Sequence, residues 1–186
     1  IVDAMAKKPE FSFTMAHLKD EGMIATSEIA TKIADFTYSK YMRDTRQALK
    51  DFDDGKDSML IDDMVNMNIM LTGMVSDLST GGKQLAVAHN FYDAVCCMYK
   101  DVRRKYLHGE IVAMALPLQL AVNGRPEAEI EELKAFLREV GIPVSIREAG
   151  MPQDGLEELI TYVHRVTIPD DMELLEQIRD GFKYIM

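Results

Sequence analysis

Two histidines, His89 and His108, each stand at the edge of an apolar run. Ala86, Val87 and Ala88 precede the first, and Ile111 to Ala115 follow closely on the second. The whole chain has only four histidines. Imidazole is the commonest neutral metal ligand, and a catalytic zinc or iron centre needs about three protein ligands with one position left open. Two histidines on neighbouring helices would supply two of the three, and the third would be a carboxylate or another histidine. The plainer role for each His is that of a core residue satisfied by one hydrogen bond. Residue type does not separate the two roles.

The elements that carry them are helices. Apolar residues recur at three- and four-residue steps along most of the chain, and alternating strand patterns are almost absent. Residues 1–19 read as a helix in which Pro9, having no N–H, forces a kink or restart. Thr26 or Ser27 can cap a long helix to about Phe52, with Ile29, Ala30, Ile33, Ala34 and Phe36 on its apolar face and Asp53, Asp54 and Gly55 ending it. A Met-rich helix follows from Ser58 to Val75, with Met64, Met67, Leu71 and Met74 packing as core rather than as a soft-metal site. Ser79 to Gly82 is a loop, too poor in glycine to cradle a phosphate. The helix of His89 runs to about Met98. A solvated connection containing Lys100, Arg103, Arg104 and Lys105 leads to a helix opened by His108 and bent by Pro117. Pro126 is expected as the first residue of the next helix, which stops before Gly141. Ile142 to Ile146 is a short extended connector, and two more helices cover about 153–163 and 168–184. Eight or so helices predict an all-α protein, with residues 1–186 forming a single domain.

Composition narrows the partners. Lys plus Arg number 21 against 31 Asp plus Glu, a net charge of −10, which disfavours nucleic acid and anionic membrane surfaces. No apolar run approaches the roughly 20 residues that span a bilayer. The only cysteines, Cys96 and Cys97, are adjacent and unsuited to an ordinary disulfide, so a reducing, cytoplasmic setting is expected. The chain opens on Ile1 rather than Met, inside what reads as a helix, as a piece of something longer would.

Several stretches resemble one superfamily. His108-Gly109-Glu110-Ile111-Val112-Ala113 resembles the His-Gly-Glu-x-Val-Ala element shared by iron-containing alcohol dehydrogenases, glycerol dehydrogenases and dehydroquinate synthases. Ser79-Thr80-Gly81-Gly82 with Ala86-Val87-Ala88-His89-Asn90 resembles the upstream element of the glycerol dehydrogenase branch. Ile1 to Lys7 resembles the segment carrying that branch's metal-binding aspartate, and Glu131 to Val144 fits the downstream part. The resemblance implies the C-terminal helical domain of such an enzyme, without the N-terminal nucleotide-binding half. It implies a divalent metal held by Asp3, His89 and His108, zinc ahead of iron, and NAD or NADP bound mainly by the missing half. The substrate class implied is a small alcohol, polyol or hydroxy acid, on an enzyme that assembles as a homo-oligomer.

Two departures bear on this. Lys7 stands where the iron-dependent branch has a fourth ligand, a histidine, and a protonated amine cannot ligate. Tyr92 stands where the glycerol dehydrogenase branch has another histidine close to the substrate. Three protein ligands plus water suit zinc. Lys7 would suit an anionic substrate such as a hydroxy acid, or is simply an exposed helix lysine. A dehydroquinate synthase-like lyase and a non-catalytic helical interaction domain are the competing readings. Asp3 and Tyr92 argue against the lyase, because that branch has Glu at the first position and a second His soon after His89. His17 and His164 match no motif; His164 beside Arg165 reads as a surface or capping residue.

Overall fold

The computed structural model describes residues 1–17, 25–79 and 85–186. Most of these residues are helical, with no strand among them. The expected start of the second helix falls on the border of this set, and most of the 79–82 loop lies outside it. The chain divides into two compact units, one comprising Ile1 and Asp3–Gln84, the other Val2 and Leu85–Met186. None of the described helices is long and apolar enough to cross a membrane.

The first unit holds α1 (Val2–Met5) apart from Val2, α2 (Lys7–His17), α3 (Ala25–Asp53), α4 (Met59–Asn66), a π-helical turn (Met67–Leu71) and α5 (Thr72–Leu78). The break expected at Pro9 comes at Ala6 instead. Pro9 is then the third residue of α2, in the first turn, where a missing N–H costs least. Thr26 and Ser27 lie inside the first turn of α3 rather than capping it.

The buried side of α3 is built from small and polar residues: Ala30, Ala34, Thr37, Tyr38, Tyr41, Thr45 and Ala48. Ile29 and Phe36, expected inward, are 51% and 56% exposed. Close helix packing explains this, since α3 lies against α2, α4 and α5 and admits only short side chains in most positions. Gly55, at φ +67°, ends α3. The Asp51 carboxylate then accepts hydrogen bonds from Ser58 Oγ (2.8 Å) and Gln47 Nε2 (2.8 Å). Those bonds, led by the one from Ser58, hold its pKa below the usual carboxylate value. Ser58 Oγ also accepts from Leu60 N–H, so one hydroxyl ties the end of α3 to the start of α4.

The Met-rich segment is one helix only up to Asn66. Thr72 N–H and Oγ1 both return to the carbonyl of Met67, five residues back, which closes the π turn. The extra residue moves the buried stripe by one position. Met64 and Met67 are buried as expected, but Val75 and Ser79 follow them inside, while Met74 is 42% exposed.

The second unit holds α6 (Val87–Met98), α7 (Lys100–Lys105), α8 (His108–Met114), α9 (Leu116–Val122), α10 (Glu127–Glu139), α11 (Leu156–Thr167) and α12 (Met172–Gly181), with a short 3₁₀ turn over Phe182–Tyr184. Residues 111–120 are buried without interruption. The chain over α8 and α9 is therefore the axis of the unit: α6 packs on both, α10 and α12 pack on α9, and α11 packs on α6 and α12. The expected bend at Pro117 is a full break at Ala115, because the proline cannot donate to the carbonyl four residues before it. Pro126 is the N-cap of α10, one position earlier than expected. Residues 142–146 are the expected extended connector, with Val144 and Ile146 buried and Ile146 N–H donating to Ile185 O at 2.7 Å.

α12 crosses α9 at Gly181, where an added Cβ would stand 2.8 Å from Leu118 Cδ1. Leu118 is fully buried, so its side chain can yield only by shifting against the core around it. Gly181→Ala is therefore expected to destabilise the unit by about 1–3 kcal/mol, although Ala is the better helix former at an open site. A urea melt reads this directly; a variant more stable than the parent would contradict the close approach.

Candidate metal centre

The two histidines stand at corresponding points of two helices. His89 is the third residue of α6 and His108 the first of α8. A first-turn residue projects its side chain at the open end of the helix, so packing α6 on α8 brings the rings together. Their centroids are 5.4 Å apart, inclined by 49°. Two imidazoles bound at about 2.0–2.1 Å to one tetrahedral ion would place their centroids about 5 Å apart. The observed spacing has room for a shared ion, and both rings are half-buried.

Two side chains fix these helix starts, and neither was apparent from the sequence. Gln119, fully buried on α9, accepts from Val87 N–H (2.8 Å) and Ala88 N–H (3.2 Å) through Oε1. It thereby caps α6, whose own N-cap, Ala86, has no acceptor side chain. Its Nε2 donates to Asn123 Oδ1 at 2.8 Å. For α8, Glu110 reaches back so that Leu107 N–H donates to its carboxylate at 2.7 Å. Glu110 of the His-Gly-Glu element thus holds the turn that presents His108. On the far side of α6, Asn90 donates to Thr167 Oγ1 at 2.7 Å, tying the helix start to α11.

Tyr92, one turn along α6 from His89, meets the His108 ring edge to face at 4.3 Å. Its oxygen accepts from Arg103 Nε at 3.1 Å. The hydrogen bond with the Cys96 thiol, then burial, push the phenol above its usual pKa, against the opposing pull of Arg103. The same bond to Tyr92 raises the Arg103 guanidinium. Lys100, Arg104 and Lys105 of the basic cluster are exposed, as a solvated connection requires, and Arg103 departs from it. The cluster forms α7, and its Arg103 is half-buried against the aromatic neighbour of His108. Cys96 and Cys97 are both free thiols.

Asp3 lies in the other unit, in the first turn of α1, and is half-buried. Lys7 opens α2. The remaining histidines serve structure. His164 is buried, contrary to its surface reading, because Nε2 pairs at 2.7 Å with the carbonyl of Asp171, the residue whose carboxylate caps α12. His17 Nδ1 pairs with Phe13 O at 2.8 Å in the last turn of α2.

No family model matches the sequence. Glycerol dehydrogenase of Thermotoga maritima is 33% identical over 82 residues, which are 44% of this chain and 21% of that protein. Among solved structures, a probable glycerol dehydrogenase from Sinorhizobium meliloti superposes with a TM-score of 0.71 at 20% identity, over 98% of this chain and 53% of that one. Glycerol dehydrogenase from Schizosaccharomyces pombe gives 0.67 at 19% identity, over 84% and 41%. The chain thus spans about half the length, or less, of the relatives it matches, and it has the fold of the corresponding part of those structures.

Proposed function

We propose that this chain, which resembles the C-terminal helical domain of glycerol dehydrogenases, is the metal-binding half of an NAD(P)-linked alcohol or polyol dehydrogenase, with Asp3, His89 and His108 as the metal ligands. The observation that carries the reading is the pair of imidazoles set 5.4 Å apart at the mouths of two helices. Donor chemistry supports it. Asp3, His89 and His108 offer a carboxylate oxygen and two imidazole nitrogens, all three residues half-buried. One carboxylate and two neutral imidazoles, with a position left for water or substrate, suit zinc ahead of iron.

A divalent ion held there would supply Lewis acidity to an alcohol oxygen, lowering the cost of its alkoxide form. The protein's own contribution is position. Gln119 and Glu110 pin the two helix starts, so each ring is delivered by a rigid element rather than a loop. Tyr92 walls one side of His108 and limits how far that ring can swing. NAD or NADP recognition is assigned mainly to a nucleotide-binding half outside these 186 residues, since no glycine-rich dinucleotide motif occurs in them.

The test has two parts. Elemental analysis after dialysis against zinc should find about one ion per chain. The same preparation, given NAD and glycerol, should show no sustained turnover. Metal-free protein would remove the proposal, and steady turnover would show that the nucleotide half is not needed.

A further inference from the structure

Beside the paired histidines sits a cation without a counter-charge. Arg103 Nε donates to Tyr92 Oη at 3.1 Å, and Nη1 donates to Tyr106 O at 3.3 Å. Its guanidinium carbon lies 5.5 Å from the centre of the Tyr92 ring. The Cys96 thiol is a further partner, and no carboxylate of the described residues pairs with Arg103. The next residue behaves in the ordinary way: Arg104 pairs with Asp101 at 3.3 Å in solvent. A guanidinium has five N–H donors in a fixed fork, and the bonds to Tyr92 and Tyr106 hold that fork still while leaving donors over. A half-buried, immobilised and uncompensated arginine is prearranged for a carboxylate or phosphate, which it can grip with two parallel hydrogen bonds. A neutral polyol offers nothing that needs such a group.

We propose that Arg103 binds the anionic end of the substrate, an oxyanion group on a hydroxyl-bearing compound, so that the chain acts on a hydroxy acid or a polyol phosphate rather than on a neutral polyol. The inference rests on the metal-centre reading for the place of the hydroxyl, at His89 and His108. Tyr92, in contact with both His108 and Arg103, spaces the two ends of the compound.

Calorimetric titration of the zinc-loaded chain with glycerol, glycerate and glycerol 3-phosphate tests this. The wild type should bind one of the two anions at least about tenfold more tightly than glycerol, and the tighter anion identifies the oxyanion as carboxylate or phosphate. Arg103→Gln should bring that anion to within about twofold of glycerol while zinc content stays the same, and Arg103→Lys should keep part of the preference. If Arg103→Gln does not fold, Tyr92→Phe serves instead: it removes the acceptor that orients the guanidinium and should cut the preference about threefold. Equal affinity for all three compounds in the wild type, no binding of any, or a preference that survives Arg103→Gln would overturn the proposal. A chain that holds no zinc but keeps an Arg103-dependent preference for anions would sink the metal reading and leave this one standing. Bound zinc without the preference would do the reverse.

Discussion

Replacing His89 or His108 by alanine should strip the chain of its metal while leaving the fold nearly as stable as before. Each substitution removes one of three proposed ligands. Altering even the partners that orient such ligands typically costs 10–100-fold in affinity, so losing a ligand itself should cost at least about a hundredfold. Metal content after dialysis should then fall from about one per chain to under about a tenth. Both rings are half-buried at helix starts, and Gln119 and Glu110 hold the first turns. Stability of the metal-free chain should accordingly change by less than about 1 kcal/mol. His164→Ala is the matched control with the opposite profile. It removes a buried imidazole that partners the Asp171 carbonyl and should cost about 1–3 kcal/mol of stability with metal content intact. If all three variants kept their metal, the helical interaction-domain reading would replace the enzymatic one.

Gln119→Leu should be the most damaging single change near the site that touches no proposed ligand. Its Oε1 takes two orphan donors at the start of α6 in a place that water does not reach. Leucine fills a similar volume but accepts nothing. A buried unpaired N–H costs about 1–3 kcal/mol, so two of them should cost about 2–6 kcal/mol in a urea melt. His89 is the next residue along, and fraying of this turn should also weaken metal binding about tenfold. Gln119→Glu keeps the acceptor at the positive end of the helix and should lose less of both. A leucine variant with wild-type stability and metal affinity would mean that α6 does not depend on this cap.

The contrast between Arg103 and its neighbours shows how a charge run can mislead. Lys100, Arg103, Arg104 and Lys105 are equivalent by type, and a solvated face is the ordinary fate of such a cluster. One of the four is set apart by partners outside the run: the phenol of Tyr92 on α6 and the carbonyl of Tyr106.

Helical periodicity, proline and glycine punctuation, and two histidines interrupting apolar runs were enough to read an all-α protein and to single out His89 and His108. Those signals are local: a repeat of three or four residues or a missing N–H acts within one turn, so it is written in neighbouring residues. The choice of Asp3 came from resemblance to a family, not from spacing. The π turn after Asn66, which moves the buried stripe from Met74 to Val75, has no local signature, because the Met-rich pattern runs evenly through it. The cap that Gln119 places on α6 comes from 31 and 32 residues away. Which buried polar group meets which orphan donor depends on how helices far apart in sequence pack together, and that is settled only when the chain is folded.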